Sequence, residues 1–316
     1  MKEQETEELL KNKRIVITGG AGFIGSNLAR SLFADNEIII MDNLMTGRYE
    51  NISDINSQIK FVRSDINDLD ILKREFEFAD YVLHLAAIAS VPKSVQDPIA
   101  ANRNNVDGTL SVLVAARDCG VRRVIFASSS AVYGDASEMP LRETLPPRPL
   151  SPYAITKLAG EHYCRIFHEV YGLETVSLRY FNVFGPGQNP GSDYAAVIPK
   201  FVKAAQGGER PTIYGDGEQT RDFVFVQDVV RANILACLAP QAAGKTFNIA
   251  AGKGISLNRL LGSLSIIFSH RIIPIYADPR PGDIKHSLAD ISLAKSVLGY
   301  EPKVDIVEGL RAISHI

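Results

Sequence analysis

Residues 14–33, "RIVITGGAGFIGSNLARSLF", set the strongest limit on what this chain can fold into. A run of five residues rich in β-branched side chains is too short for a helix and reads as a buried strand. Gly19, Gly22 and Gly25 follow at every third position, in the form G-x-x-G-x-x-G, and an amphipathic helical pattern comes next. Missing side chains let the backbone turn tightly and approach a pyrophosphate, which then lies at the positive end of the helix. Gly19, Gly22, Gly25 and the first helical residues Phe23 and Ile24 are therefore expected to hold a dinucleotide. The next strand, "EIIIMD", ends in Asp42, 17 residues beyond Gly25. A carboxylate there accepts hydrogen bonds from the adenosine ribose and repels a 2′-phosphate. Asn43 rather than arginine follows, which favours NAD over NADP. A helix cap or loop acid is the alternative reading of Asp42.

Further apolar runs continue the rhythm: "IKFVRSD" (59–65), "YVLHLAA" (81–87), "RVIFASS" (123–129) and "ETVSLRY" (174–180). Helical patterns lie between them, including 26–33, 100–119 and 153–170. Near-continuous β-branched strands alternating with helices predict an α/β fold, a doubly wound parallel Rossmann sheet over residues 1–180. Beyond Asn182 glycine and proline become frequent, and a smaller α/β lobe over 181–316 is expected to cover the sheet's C-terminal edge. "DFVFV" and "TFNIA", within 222–250, are expected to return the chain to the first lobe's sheet.

Composition removes several classes of function. Net charge is −2 without a basic block, and phosphate backbones require clustered Lys and Arg, so nucleic acid is not expected as a partner. Three distant cysteines and six scattered histidines suggest neither a disulfide framework nor a metal site. No apolar run reaches the ~18 residues of a membrane helix. The charged N-terminus, "MKEQETEELLKNKR", lacks the apolar core of a signal peptide and reads as a short solvated helix. These features predict a cytoplasmic protein.

"SPYAITK" places Tyr153 and Lys157 four residues apart, on one helical face. Tyrosine normally ionises near pH ~10; a lysine ammonium and a cationic nicotinamide nearby both favour the phenolate. Twenty-four residues before Tyr153, "SSSAVYG" offers Ser129 at the end of a strand, as a hydroxyl to bridge substrate and tyrosine. A polar loop and an ordinary aromatic are the alternatives.

Taken together, "TGGAGFIG", "HLAA", "SSSAVYG", "YAITK", "RYFNVFGPGQNP" and "RDFVFVQDVV" resemble the extended short-chain dehydrogenase/reductases that modify nucleotide sugars, over about residues 13–316. The resemblance implies Tyr153 as catalytic base, Lys157 as its partner and Ser129 as the bridging hydroxyl. It also implies Asp65 and Ile66 at the adenine, Leu85, Ala86 and Ala87 along the pyrophosphate, and Asn105 near the cofactor. His84 reads equally well as a satisfied core histidine and receives no role. At the substrate it implies Ser90, Val91, Ser130 and Val197, with Asn182 at the diphosphate, Tyr214 at the uracil and Asp283 at the uridine ribose. Arg221 and Arg280 suit a diphosphate, since a guanidinium offers paired donors to phosphate oxygens.

Members resembling 4,6-dehydratases carry Asp-Glu after the catalytic hydroxyl, where this chain has Ser130 and Ala131. Without that second acid and base, oxidation at carbon-4 followed by re-reduction is the chemistry left, which is 4-epimerisation. Ser287 occupies the position expected to flank the sugar's carbon-2 substituent. A small residue there admits an N-acetyl group and still accepts a hydroxyl. The expectation is a UDP-hexose 4-epimerase with bound NAD, working on UDP-N-acetylglucosamine and UDP-glucose. UDP-glucuronate is the alternative substrate, and other NAD-dependent nucleotide-sugar oxidoreduction the alternative chemistry. A dinucleotide-sensing binding protein would not need Tyr153, Lys157 and Ser129 together. The resemblance further suggests a homodimer built on the helices at 100–119 and 153–170.

Overall fold

The computed structural model describes residues 10–188, 197–279 and 284–314. The N-terminal segment read as a helix falls largely outside them, as do Arg280 and Asp283.

Seven parallel strands form the main sheet: β1 (Arg14–Thr18), β2 (Glu37–Asp42), β3 (Lys60–Arg63), β4 (Tyr81–His84), β5 (Arg123–Ser129), β6 (Glu174–Tyr180) and β10 (Lys245–Ile249). Their order is β10-β6-β5-β4-β1-β2-β3. Strand order reverses between β1 and β4, so the loops after these two strands diverge and leave a crevice at their C-terminal ends. The helices covering the sheet include α1 (Phe23–Leu32), α2 (Leu69–Phe76), α3 (Gly108–Asp118) and α4 (Pro152–Tyr171). Alternate strand residues feed opposite faces. Ile15, Ile17, Ile38 and Ile40 pack into one core, while Val16, Ile39 and Met41 pack into the other.

Two starting points differ from the sequence pattern. α1 begins at Phe23, directly on the glycine turn, so its first amides point at the crevice. The stretch expected as one helix over 100–119 is broken: Pro98–Asn102 leads through a π-helical turn, Arg103–Asp107, into α3. Periodicity of 3.6 does not register one extra residue in a turn.

The remaining chain builds two small sheets. β9 (Thr220–Phe225) pairs in parallel with β7 (Asn182–Phe184) and antiparallel with β11 (Gly254–Ser256); β8 (Thr212–Tyr214) pairs with β12 (Ile275–Ala277). "DFVFV" therefore does not enter the main sheet, contrary to expectation. Phe223 and Phe225 instead join Phe184, Phe201 and Leu260 in a third core. The return runs through the helix after β9, Val226–Leu238, and through β10, which "TFNIA" was expected to supply.

Asp222 on β9 is fully buried. It accepts hydrogen bonds from the amides of Ala251 at 2.9 Å and Ala289 at 3.1 Å. Burial pushes its carboxyl up to about 6, against the pull of those amides. The segment carrying Ala289 is fastened elsewhere too. Ser287 N donates to Thr220 O, Leu141 N donates to Leu288 O, and Asp290 N donates to Leu141 O. Replacing Asp222 by alanine orphans the buried amide of Ala289 and the partly buried amide of Ala251, a buried orphan costing about 1–3 kcal/mol and a partly buried one somewhat less. Asp222→Ala should lower unfolding free energy by roughly 2–5 kcal/mol in denaturant titrations; a change under about 0.5 kcal/mol would contradict this role.

Candidate active site

The glycine turn is shaped by what a side chain would strike. Gly19 has φ +72°, and a Cβ on it would lie 2.6 Å from the Ala86 nitrogen. A Cβ on Gly25 would lie 2.4 Å from Gly19 O. Gly22 caps α1 with no side chain, so the first-turn amides stay free for an anion. Asp42 closes the turn from beneath: one carboxylate oxygen accepts from Ala21 N at 3.1 Å, the other from Leu44 N at 2.8 Å. Burial raises its pKa and the two amides oppose the rise.

A groove of about 290 Å³ opens there. Gly19, Gly22, Phe23, Ile24 and Gly25 form one end, with Asp42 and Asn43 beyond them. Ile66, Leu85, Ala86 and Ala87 form its flank, and Tyr153 and Lys157 its inner end. Two expected residues, Asp65 and Asn105, are not on the groove wall. Asp65 accepts from Asn43 Nδ2 and Asn67, orienting Asn43, which is. Asn105 is buried. It accepts from Ile88 N and donates to Thr156 Oγ1, tying the loop after β4 to the first turn of α4. Sequence reasoning missed Met41, Ser64, Ser128 and Tyr180 on the wall; their position at strand ends was the available signal.

Ser151 caps α4 by accepting from Ala154 N, and Pro152 occupies its first turn. Tyr153 thus stands at the helix start, half-buried, where burial raises its pKa and a hydrogen bond with Ser129 opposes the rise. Lys157 is buried one turn on. Its Nζ donates to Ala127 O at 2.8 Å and lies 4.9 Å over the Phe126 ring. Burial pushes its ammonium down to about 8.

Tyr153 and Tyr180 also line a second cavity, of about 570 Å³. Val91, Ser129, Ser130, Asn182, Arg221 and Ser287 are on its wall. Among the described residues this wall carries no carboxylate. Asn182 and Arg221 are shared with a third cavity, of about 660 Å³, which includes Val197 and Tyr214. Ser90 lines neither; it caps the helix Val91–Gln96. The three cavities form a row, joined at Tyr153 and at Arg221.

Residues 15–250 match the NAD dependent epimerase/dehydratase family. The chain belongs to that family. It is 38% identical over 302 residues to a UDP-glucose 4-epimerase of Mycolicibacterium smegmatis, spanning 94% of this chain and 96% of that protein. Among solved structures, it is similar to a UDP-N-acetylglucosamine 4-epimerase from Methanobrevibacter ruminantium M1, in complex with UDP-N-acetylmuramic acid. Identity there is 46% and the TM-score 0.93, covering 96% of this chain and 98% of that one. It is also similar to a UDP-glucuronic acid 4-epimerase from Bacillus cereus, in complex with UDP-glucuronic acid and NAD. That likeness has 34% identity and TM-score 0.88, over 96% and 98% of the two chains. The family's cofactor is NAD, and the groove fits it: side-chain-free glycines, uncapped helix amides and a carboxylate at the end of β2.

One buried residue of this epimerase/dehydratase fold acquires a definite state. His84 Nε2 lies 2.9 Å from Thr109 Oγ1, and Nδ1 lies 2.7 Å from Thr18 Oγ1. Thr109 donates its own proton to Asn105 O at 2.6 Å, so Nε2 must be the donor to Thr109 and Nδ1 the acceptor from Thr18. Burial pushes the pKa of His84 down to about 3, which keeps the ring neutral and gives that tautomer, a satisfied core histidine. Unfolded, it would titrate near ~6.5. Between those values the unfolded chain binds a proton that the fold refuses, so stability falls as pH drops below about 6.5, by about 1.4 kcal/mol per unit. His84→Gln should make the stability–pH slope between about pH 4.5 and 6 shallower by one proton. An unchanged slope would refute the assignment.

Proposed function

We propose that this protein is a UDP-sugar 4-epimerase that retains NAD through the cycle. The observation that carries the reading is the position of Tyr153, on the wall shared by the dinucleotide groove and the second cavity. NAD, when bound, would supply a reversible hydride acceptor beside carbon-4 of the sugar. The protein's part is proton management and orientation. Tyr153, as phenolate, takes the carbon-4 hydroxyl proton, with Ser129 in the hydrogen-bond relay. The Lys157 ammonium stabilises that phenolate. After the 4-keto sugar presents its other face, Tyr153 returns the proton. Gly19, Gly22, Phe23, Ile24, Gly25, Asp42, Asn43 and Leu85–Ala87 would hold the cofactor, with Asp65, Ile66 and Asn105 supporting them.

The absence of a carboxylate from the described wall of the second cavity supports epimerisation, because dehydration needs a further acid and base there. Asn182, Arg221, Tyr214 and Val197 suit the nucleotide diphosphate, while Val91, Ser130 and Ser287 suit the sugar, with Ser90 capping the helix that carries Val91. Ser287, buried at the cavity wall, leaves room for a 2-acetamido group. UDP-N-acetylglucosamine and UDP-glucose are the proposed substrates. The reading includes a cytoplasmic location, where NAD and nucleotide sugars meet. Purified protein without added NAD is expected to convert both sugars, the acetylated one as well or better, and Tyr153→Phe should lower kcat by roughly 10²–10⁴. Failure with both, and with UDP-glucuronate, even when NAD is supplied, would end the epimerase reading.

The proposal extends to a homodimer. Ile155, Ile166 and Val170 recur on one side of α4, and Ile99 on the helix Pro98–Asn102 is 80% exposed. Apolar side chains so placed suit a four-helix bundle between two copies. Light scattering should report a dimer, and a monomer for Ile99→Glu/Val170→Glu; a monomeric parent would exclude it.

A further inference from the structure

Three consecutive residues of β5 engage α4 at three successive turns. Ser129 shares a cavity wall with Tyr153, Ala127 O accepts from Lys157 Nζ, and the Ser128 hydroxyl donates to Glu161 Oε1. Tyr153, Lys157 and Glu161 are each four residues apart, hence on one helical face. Gly160 allows the approach, since a Cβ there would lie 2.3 Å from the Phe126 ring.

Glu161 is no surface acid. It is 7% exposed and receives both arms of the Arg179 guanidinium from β6, Nε to Oε1 at 2.8 Å and Nη2 to Oε2 at 2.7 Å. Arg179 itself lies 4.7 Å over the Tyr133 ring. Taking such a pair out of water is costly, and apolar replacement is often neutral or stabilising. Stability alone therefore does not account for it.

Lys157 does. The titratable groups facing it are Tyr153, Glu161 and Cys164 on its own helix and His84 on β4, with Arg179 on β6 behind Glu161. His84 is neutral, and burial pushes the Cys164 thiol up to about 12. Among these groups Glu161 is the carboxylate that accepts from Ser128 and from two Arg179 nitrogens, one helical turn from an ammonium that burial disfavours.

We propose that Glu161 is a positioning residue for the reaction: through Ser128 and Arg179 it fixes α4 against β5 and holds Lys157 charged beside Tyr153. This rests on the roles given above to Tyr153 and Lys157. The first test needs no substrate. Ionisation of Tyr153 in NAD-loaded protein is followed by ultraviolet difference absorption, with Tyr153→Phe as the blank. In Glu161→Gln an uncompensated Arg179 charge drives the proton from Lys157, and Tyr153 should ionise at least about one pH unit higher. In Glu161→Gln/Arg179→Met the second cation is gone and the shift should largely reverse. The alkaline limb of the kcat profile should fall in the single variant and recover in the double, at unchanged KM.

A pair serving the fold alone predicts a lower melting temperature with both titrations unmoved, and that result overturns the proposal. If Glu161→Gln does not fold, Ser128→Ala leaves the ion pair in place and should lower kcat at least about fivefold with NAD in saturating excess; parental kcat there overturns it equally. A parent protein that converts no UDP-sugar, with Tyr153 ionisation still following Glu161, would remove the epimerase reading and leave this one standing.

Discussion

The close approach of Gly19 to Ala86 is the constraint from which the active region follows. These residues begin the loops after β1 and β4, the strands between which the order of the sheet reverses. Only a residue without Cβ lets the loops touch, and only with the loops touching does the groove run straight from Asp42 to Tyr153. Positive φ at Gly19 removes the alternative of a small side chain, since alanine would be strained there even with room.

Beneath the groove the protein places polar groups where a core would ordinarily be apolar. Thr18, His84, Thr109, Asn105 and Thr156 form a directed series of hydrogen bonds that ends at the Tyr153 carbonyl. Every proton in it has one place to go, which fixes loops by geometry rather than by bulk. A second series, Ser128, Glu161, Arg179, does the same with charge. Buried polar groups whose donors find acceptors make one arrangement much better than its neighbours; of the second series, Arg179 Nη1 is left without a hydrogen-bond partner among the described residues. The roles proposed for Tyr153 and Lys157 call for that kind of support, since a phenol and an ammonium must then be held within fractions of an ångström.

The sheet was legible in the sequence because it is local information repeated: β-branched runs at strand length, glycine at every third position, helices between. Tyr153, Lys157 and Asp42 were singled out by short spacings, and the fold brings them to one groove. What the sequence hid depends on partners far along the chain. Glu161 looks like any helical acid until Arg179 and Ser128 are beside it, 18 and 33 residues away. "DFVFV" has the composition of a main-sheet strand, and its destination was decided by Phe184 and Leu260 in another core. Asn105, Asp65 and Ser90 carry motif signals, yet each orients a neighbour rather than facing a cavity. The extra residue in the π-helical turn at Arg103–Asp107 leaves no trace in hydrophobic periodicity.

The segment of Ser287 and Ala289 is sewn to β9 through Thr220 and Asp222 and to the loop at Leu141 through paired amides and carbonyls, while Asn248 on β10 donates to Asp290 O. Those stitches join the small sheets to the large one across the mouth of the second cavity. A seam bonded along both edges resists hinging. Turning over during a catalytic cycle then falls most easily to the guest within the chamber, about its own single bonds.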